Sequence, residues 1–170
     1  MPNVATAPTM KGNPVTLVGK ELNVGDNAPD AALVANDLSE FKLSSLKGKK
    51  VILSVVPSLD TGICDLQTKR FNQEAAKLGD SVRILTISMD LPFAQKRWCG
   101  ATHSDKITTL SDHRSGAFGE AYGVLIKGLR LLTRAIFIID EKGKIRYKQI
   151  VPEITTEPKY DDALNALKKI

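Results

Sequence analysis

The sequence predicts an α/β fold: a central mixed sheet flanked by helices, with a β-hairpin extension at the N-terminus. Two observations carry the prediction. Residues 50–56 form a nearly continuous apolar run, as strands do when both faces are covered, and residues 82–88 and 134–139 read as two further strong strands. The segments between them alternate strand, helix, strand, and the chain then closes with strand, turn, strand, helix. At 170 residues the chain is long enough for one domain, residues 1–170, to bury a core without crosslinks.

In chain order, residues 15–18 and 21–24 are short β-type runs meeting at Gly19 and Lys20, which predicts a hairpin within an extension spanning residues 1–24. A second hairpin is expected over residues 31–43, turning near Asn36 and Asp37, followed by a helical turn at 44–47. Residues 50–56 are the first buried strand. Ile63, Leu66, Phe71, Ala75 and Leu78 recur at helical spacing and predict a helix over 62–78, with Asp60 or Thr61 as its N-cap. Residues 82–88 form the second strand. A short helix follows over 91–100, opened by Pro92 and closed by Gly100. A short strand at 107–110 and a short helix at 116–122 come next. The strand at 134–139 turns through Asp140 to Gly143 into an antiparallel partner at 144–151. The last helix starts near Pro158 and sets Tyr160, Leu164, Leu167 and Ile170 along one face; Lys168 and Lys169 suit the negative end of its dipole. That order is the thioredoxin arrangement with an insertion in its middle.

Composition narrows the function. No apolar run reaches the length of a membrane span, and the first twenty residues lack the pattern of a secretory signal. A cytoplasmic protein is the default expectation, with a periplasmic location left open. The formal charge of +5 is spread over scattered Lys and Arg, and 5% aromatic content provides few stacking platforms, so nucleic-acid binding is not expected. Two cysteines are too few for a disulfide scaffold, which favours catalysis or redox sensing.

The chemistry centres on Pro57-Ser58-Leu59-Asp60-Thr61-Gly62-Ile63-Cys64, at the junction between the first buried strand and the first long helix. A free thiol is only a few per cent ionised at neutral pH, and the thiolate is the nucleophile. A helix N-terminus offers unpaired N–H groups and partial positive charge to the anion. Thr61 lies one turn before Cys64, where its hydroxyl can join a network at the sulfur. Pro57, with fixed φ and no N–H, can shape the pocket wall. Taken singly, Thr61 reads equally well as a cap, Pro57 as a strand terminator and Cys64 as a small buried hydrophobe; the combination at this spacing favours chemistry.

Pro57-x3-Thr61-x2-Cys64 is the pattern of the peroxiredoxin active site. The surroundings resemble the bacterial thiol peroxidases, the atypical two-cysteine branch, over nearly the whole chain. The matching stretches are Lys11-Gly-Asn-Pro-Val-Thr-Leu-Val18, Val24-Gly-Asp-x-Ala-Pro29, Ser88-Met-Asp-Leu-Pro-Phe-Ala-Gln-Lys-Arg97, Leu110-Ser-Asp-His-Arg114, Ala121-Tyr-Gly-Val-Leu-Ile126 and Leu131-Leu-x-Arg-Ala-x-Phe137. Trp98 departs from the branch, which often has phenylalanine there. The resemblance implies Cys64 as the peroxidatic cysteine, Cys99 as the resolving cysteine, Thr61 and Pro57 as pocket residues and Arg134 as the active-site arginine. A guanidinium at the start of the strand at 135–139 suits that role, since it can hold a thiolate and donate to a peroxide.

The implied cycle takes a hydroperoxide (hydrogen peroxide or an alkyl or lipid hydroperoxide) to water or alcohol through a Cys64 sulfenic acid. An intrachain Cys64–Cys99 disulfide follows, and thioredoxin reduces it. No metal or organic cofactor is implied, and a homodimer is. Because the two cysteines fall on different predicted helices, closing the bond is expected to unwind the first turn of the Cys64 helix and the segment at Cys99 and Gly100. Three rivals remain at the level of sequence. Cys99-x3-His103, with His113 and Cys64, makes a poor zinc set without a paired-cysteine motif. A peroxide sensor would use the same two cysteines without rapid turnover. A disulfide oxidoreductase would need the Cys-x-x-Cys that this chain lacks.

Overall fold

The computed structural model describes residues 7–104 and 106–170. Its main sheet has seven strands. β4 (Ala32–Val34), β5 (Glu40–Lys42), β6 (Lys50–Val55), β7 (Val82–Ser88), β8 (Thr108–Ser111), β11 (Ala135–Ile139) and β12 (Ile145–Ile150) lie in the order β12-β11-β6-β7-β8-β4-β5. β6, β7 and β8 run parallel and the other neighbours pair antiparallel, so the sheet is mixed as expected. The helices are α1 (Gly62–Leu78), α2 (Pro92–Thr102), α3 (Ala117–Ala121) and α4 (Tyr160–Lys168).

Alternation along the central strands divides the core in two. Val51, Leu53, Val55, Ala135, Phe137 and Ile139 point to one face, where they meet Phe118 and Tyr122 of the α3 segment and Leu43 and Leu46 of a 3-10 turn. Ile52, Ile136 and Ile138 point to the other face, against Phe71 of α1 and Ala163 and Leu167 of α4. Arg134 and Ser54 continue the second register, so both face α1.

The N-terminus differs from the expected hairpin. The two strands that pair locally are β1 (Thr9–Met10) and β2 (Asn13–Pro14), turning at Lys11 and Gly12. β3 (Leu17–Val18) pairs with β9 (Leu125–Ile126), which is itself in a hairpin with β10 (Leu131–Leu132). Residues 21–24 form no strand, because Leu22 is taken into the core, where it is 1% exposed. Gly19 makes the crossing possible: it lies at φ +108°, and a Cβ there would fall 2.1 Å from the Glu120 carbonyl oxygen. Of the extension expected over 1–24, residues 1–6 lie outside the described residues.

The face of α1 is also redistributed. Cys64, Gln67, Thr68 and Phe71 are buried, while Leu66 is exposed, although spacing placed Leu66 on the inner face. The first two turns of α1 cover a guanidinium rather than an aliphatic surface, and polar side chains satisfy it.

Candidate active site

β6 ends at Val55, and Val56, Pro57 and Leu59 are buried as the chain crosses to α1. The crossing is held by one carboxylate. Asp90, just past the end of β7, accepts hydrogen bonds from the Ser58 hydroxyl (2.7 Å), the Leu59 amide (2.7 Å) and the Ser88 hydroxyl (2.8 Å). Because β6 and β7 are parallel neighbours, both ends lie on the same edge of the sheet, where the crossing segment and Asp90 meet.

Thr61 takes the extended backbone of an N-cap (φ −127°, ψ 148°), and its carbonyl accepts the first helical hydrogen bond from Asp65 at 2.9 Å. Its hydroxyl caps nothing, donating instead to the Ser58 carbonyl at 3.0 Å. With that proton engaged, the Thr61 oxygen turns its remaining capacity outward as an acceptor.

Cys64 follows in the first turn of the 17-residue α1 and is 0% exposed. Its neighbours are Val56, Leu59 and the partly buried Trp98. Its Sγ accepts a hydrogen bond from Arg134 Nη2 at 3.3 Å. Arg134 is itself 2% exposed, and each of its guanidinium nitrogens donates once: besides the bond to sulfur, Nη1 donates to Gln67 Oε1 at 2.8 Å and Nε to the Ile154 carbonyl at 2.8 Å. Gln67 in turn donates to Ser54 Oγ at 2.8 Å. A buried cation with three fixed acceptors is aimed at a buried sulfur. Such an arrangement leaves the remaining N–H donors of a planar fork beside the sulfur.

Cys99 lies on α2, half-buried, and both cysteines are free thiols. Its Sγ is 3.5 Å from Thr109 Oγ1, whose own proton goes to Asn36 Oδ1 at 3.0 Å, so the thiol is the donor to Thr109. Burial pushes this thiol up from its ordinary value.

The structure therefore brings Cys64 and Arg134 into contact across 70 positions of sequence and sets Pro57 and Thr61 in the segment that leads into the same helix. It keeps Cys99 on a neighbouring helix with separate partners. Sequence reasoning missed Gln67, Ser54 and Asp90. Gln67 stands three residues after Cys64, one turn along the helix, which was the one available signal. Among the described residues no three His, Cys, Asp or Glu side chains converge as metal ligands. A cleft of about 360 Å³ lined by Leu43, Leu46, Val51, Leu53 and Tyr122 lies on the opposite face of the sheet and holds none of these groups.

A buried cysteine opening a helix on a thioredoxin-like sheet, with an arginine on its sulfur, defines a thiol-reactive protein of the peroxiredoxin class. The family model described as Redoxin matches residues 23–164. A thiol peroxidase of Bacillus subtilis (strain 168) is 58% identical over 162 residues, covering 95% of this chain and 96% of that one. The solved structure of a peroxiredoxin-like protein from Aquifex aeolicus superposes with a TM-score of 0.91 at 48% identity, over 97% of both chains. The fold alone extends to a thiol peroxidase from Chromobacterium violaceum, with a TM-score of 0.86 at 20% identity over 97% of both chains. The chain belongs to the redoxin family, and within it to the thiol peroxidases.

Proposed function

We propose that the chain is a thiol-specific peroxidase that reduces hydrogen peroxide and alkyl or lipid hydroperoxides to water and alcohols. The observation that carries this reading is the buried Arg134 guanidinium 3.3 Å from the Cys64 sulfur. The Cys64 thiolate attacks the terminal oxygen of the hydroperoxide. A sulfur–oxygen bond forms, the oxygen–oxygen bond breaks, and its electron pair leaves as hydroxide or alkoxide, which takes a proton from water. The product at sulfur is a sulfenic acid. Donors aimed at the place where negative charge develops lower the barrier most, and we read Arg134 as that donor. Thr61 contributes its outward oxygen as acceptor for the proton of the incoming peroxide, and Pro57 walls the pocket.

In the second step Cys99 condenses with the sulfenic acid, forming the Cys64–Cys99 disulfide and releasing water. A thioredoxin dithiol then takes up the disulfide's oxidation and restores both thiols. The similarity to proteins named thiol peroxidase supports this cycle. We further read the chain as one domain acting in the cytoplasm as a homodimer. Leu91 and Phe93, which are 53% and 67% exposed beside Asp90, offer apolar surface for the dimer contact next to the site. No described helix is long and apolar enough to cross a membrane.

The test is steady-state consumption of hydrogen peroxide and of cumene hydroperoxide with thioredoxin, its reductase and NADPH. Wild type is expected to turn over continuously, Cys64→Ser not at all, and Cys99→Ser to stop after one equivalent. Continuous turnover by Cys64→Ser overturns the assignment; a single turnover by wild type marks a peroxide sensor instead.

A further inference from the structure

Two hydrogen-bonded positions sit one residue from each sulfur. Asp65 follows Cys64 in the first turn of α1, and Trp98 precedes Cys99 in α2. The indole Nε1–H donates to Asp65 Oδ1 at 2.9 Å, while Asp65 Oδ2 pairs with Lys69 Nζ at 2.8 Å. The Trp98 ring packs both on the Cys64 pocket and on the Phe71–Leu167 core, so one side chain holds the two helices in register. Meanwhile each sulfur is engaged elsewhere, Cys64 with Arg134 and Cys99 with Thr109.

A disulfide requires the two Cα atoms to come within about 7 Å with the Cβ vectors facing each other. Both sulfurs must leave their present partners for that, and a movement of Cys64 carries Asp65, in the same turn, with it. We infer that the Asp65–Trp98 hydrogen bond is a latch: it holds the reduced chain with its cysteines apart, and it opens before Cys99 reaches Cys64. Asp65 and Trp98 are thus positioning residues for the resolving step, and the inference rests on the two-cysteine cycle proposed above. The balance is that of the cycle: Cys64–SOH and Cys99–SH give the disulfide and one water.

The test is a single turnover with hydrogen peroxide and no reductant, quenched by alkylation and read by mass spectrometry as sulfenic acid, disulfide and sulfinic acid. Trp98→Phe keeps the ring and removes only the N–H donor; Asp65→Ala removes the acceptor. Either substitution is expected to speed conversion of sulfenic acid to disulfide about tenfold, as loss of one charge-assisted hydrogen bond implies. The double variant is expected to add nothing to either single one, an outcome a general loosening of the fold does not produce. The fraction of sulfinic acid at high peroxide falls in parallel. Trp98 is the only tryptophan, so wild-type fluorescence reports the latch directly. It is expected to change with disulfide formation and to stay constant when Cys99→Ser is oxidised to the sulfenic acid.

Unchanged or slower resolution in both variants overturns the latch, as does a full fluorescence change in Cys99→Ser. If instead wild type consumes no peroxide, the peroxidase reading fails by itself. Diamide, which accepts the two electrons of the dithiol, then forms the same disulfide and lets wild type, both single variants and the double variant be compared on the rate of its formation.

Discussion

Arg134 makes three hydrogen bonds from one planar group, and the geometry of that group is what a substitution would test. Arg134→Lys keeps the charge but cannot present three donors in the same fork, so the Gln67 and Ile154 acceptors compete with the sulfur for one ammonium. Oxidation of Cys64 by peroxide is expected to slow by about 10²–10³, the usual cost of losing a preorganised donor, and stopped-flow mixing measures it. Retention within threefold would remove Arg134 from the mechanism. Gln67→Met tests the layer behind it. The volume is kept, but Arg134 Nη1 and the Ser54 hydroxyl lose their partner, which implies about 1–3 kcal/mol of stability by chemical denaturation and a slower first step. Wild-type stability and rate together would mean that water replaces the amide. These residues differ in how far the sequence disclosed them. Cys64, Thr61 and Pro57 stand within eight positions and read as a motif. Arg134 was legible only through resemblance, because a lone arginine before a strand has no local mark. Gln67 was hidden by the helical pattern, which assigns an amide to water unless a buried cation is known to lie beneath it.

The elements follow the same logic. β6, β7 and β11 were legible because both of their faces are covered, so branched apolar residues dominate each run. β9 and β10 were not, and β3 was legible as a strand but not in its pairing, since each is two residues long and β3 finds its partner more than a hundred positions away. No local periodicity exists at that length. What the sequence does contain is Gly19, whose conformation is specific to the crossing. The Lys20 amide donates to the Glu120 carbonyl at 3.0 Å and the Lys127 amide to the Thr16 carbonyl at 2.8 Å, which fastens the strand on either side. Gly19→Ala would place a methyl inside the Glu120 carbonyl and force a left-handed backbone on alanine. A loss of about 2–3 kcal/mol is expected, seen as a fall in Tm of about 4–12 °C for a chain of this size. Gly62→Ala is the matched control: nothing lies within 4 Å of its added Cβ, and Tm should hold or rise. Equal Tm for Gly19→Ala and wild type would show that the crossing is not fixed at this glycine.

Across the whole molecule, the site depends on a contact at the far end of the chain. The Ile154 carbonyl that orients Arg134 belongs to a loop tied to the N-terminal hairpin. The Ile154 amide donates to the Thr9 carbonyl and the Thr9 amide to the Pro152 carbonyl, each at 2.8 Å. Between them, Glu153 gathers the Thr9 hydroxyl, the Gly12 amide, and the Thr155 amide and hydroxyl on its two oxygens. The hydrogen bonds from Thr155 and Gly12 hold its carboxyl down to about 2, from an ordinary value of 4.5. A carboxylate lowered in this way stabilises the tied state at every pH above its unfolded value. That contribution is lost as pH falls from about 4.5 through about 2. The hairpin and the loop at 152–156 are therefore expected to loosen together over that range. Hydrogen exchange of the Gly12, Thr9 and Ile154 amides measures it, with Glu153→Gln as the variant in which the acid dependence disappears. Because Ile154 also holds Arg134, oxidation of Cys64 should slow in Glu153→Ala at neutral pH without any change at the site itself. Protection of the three amides that stays level from pH 5 to 2 in wild type would break the link between the hairpin and Arg134.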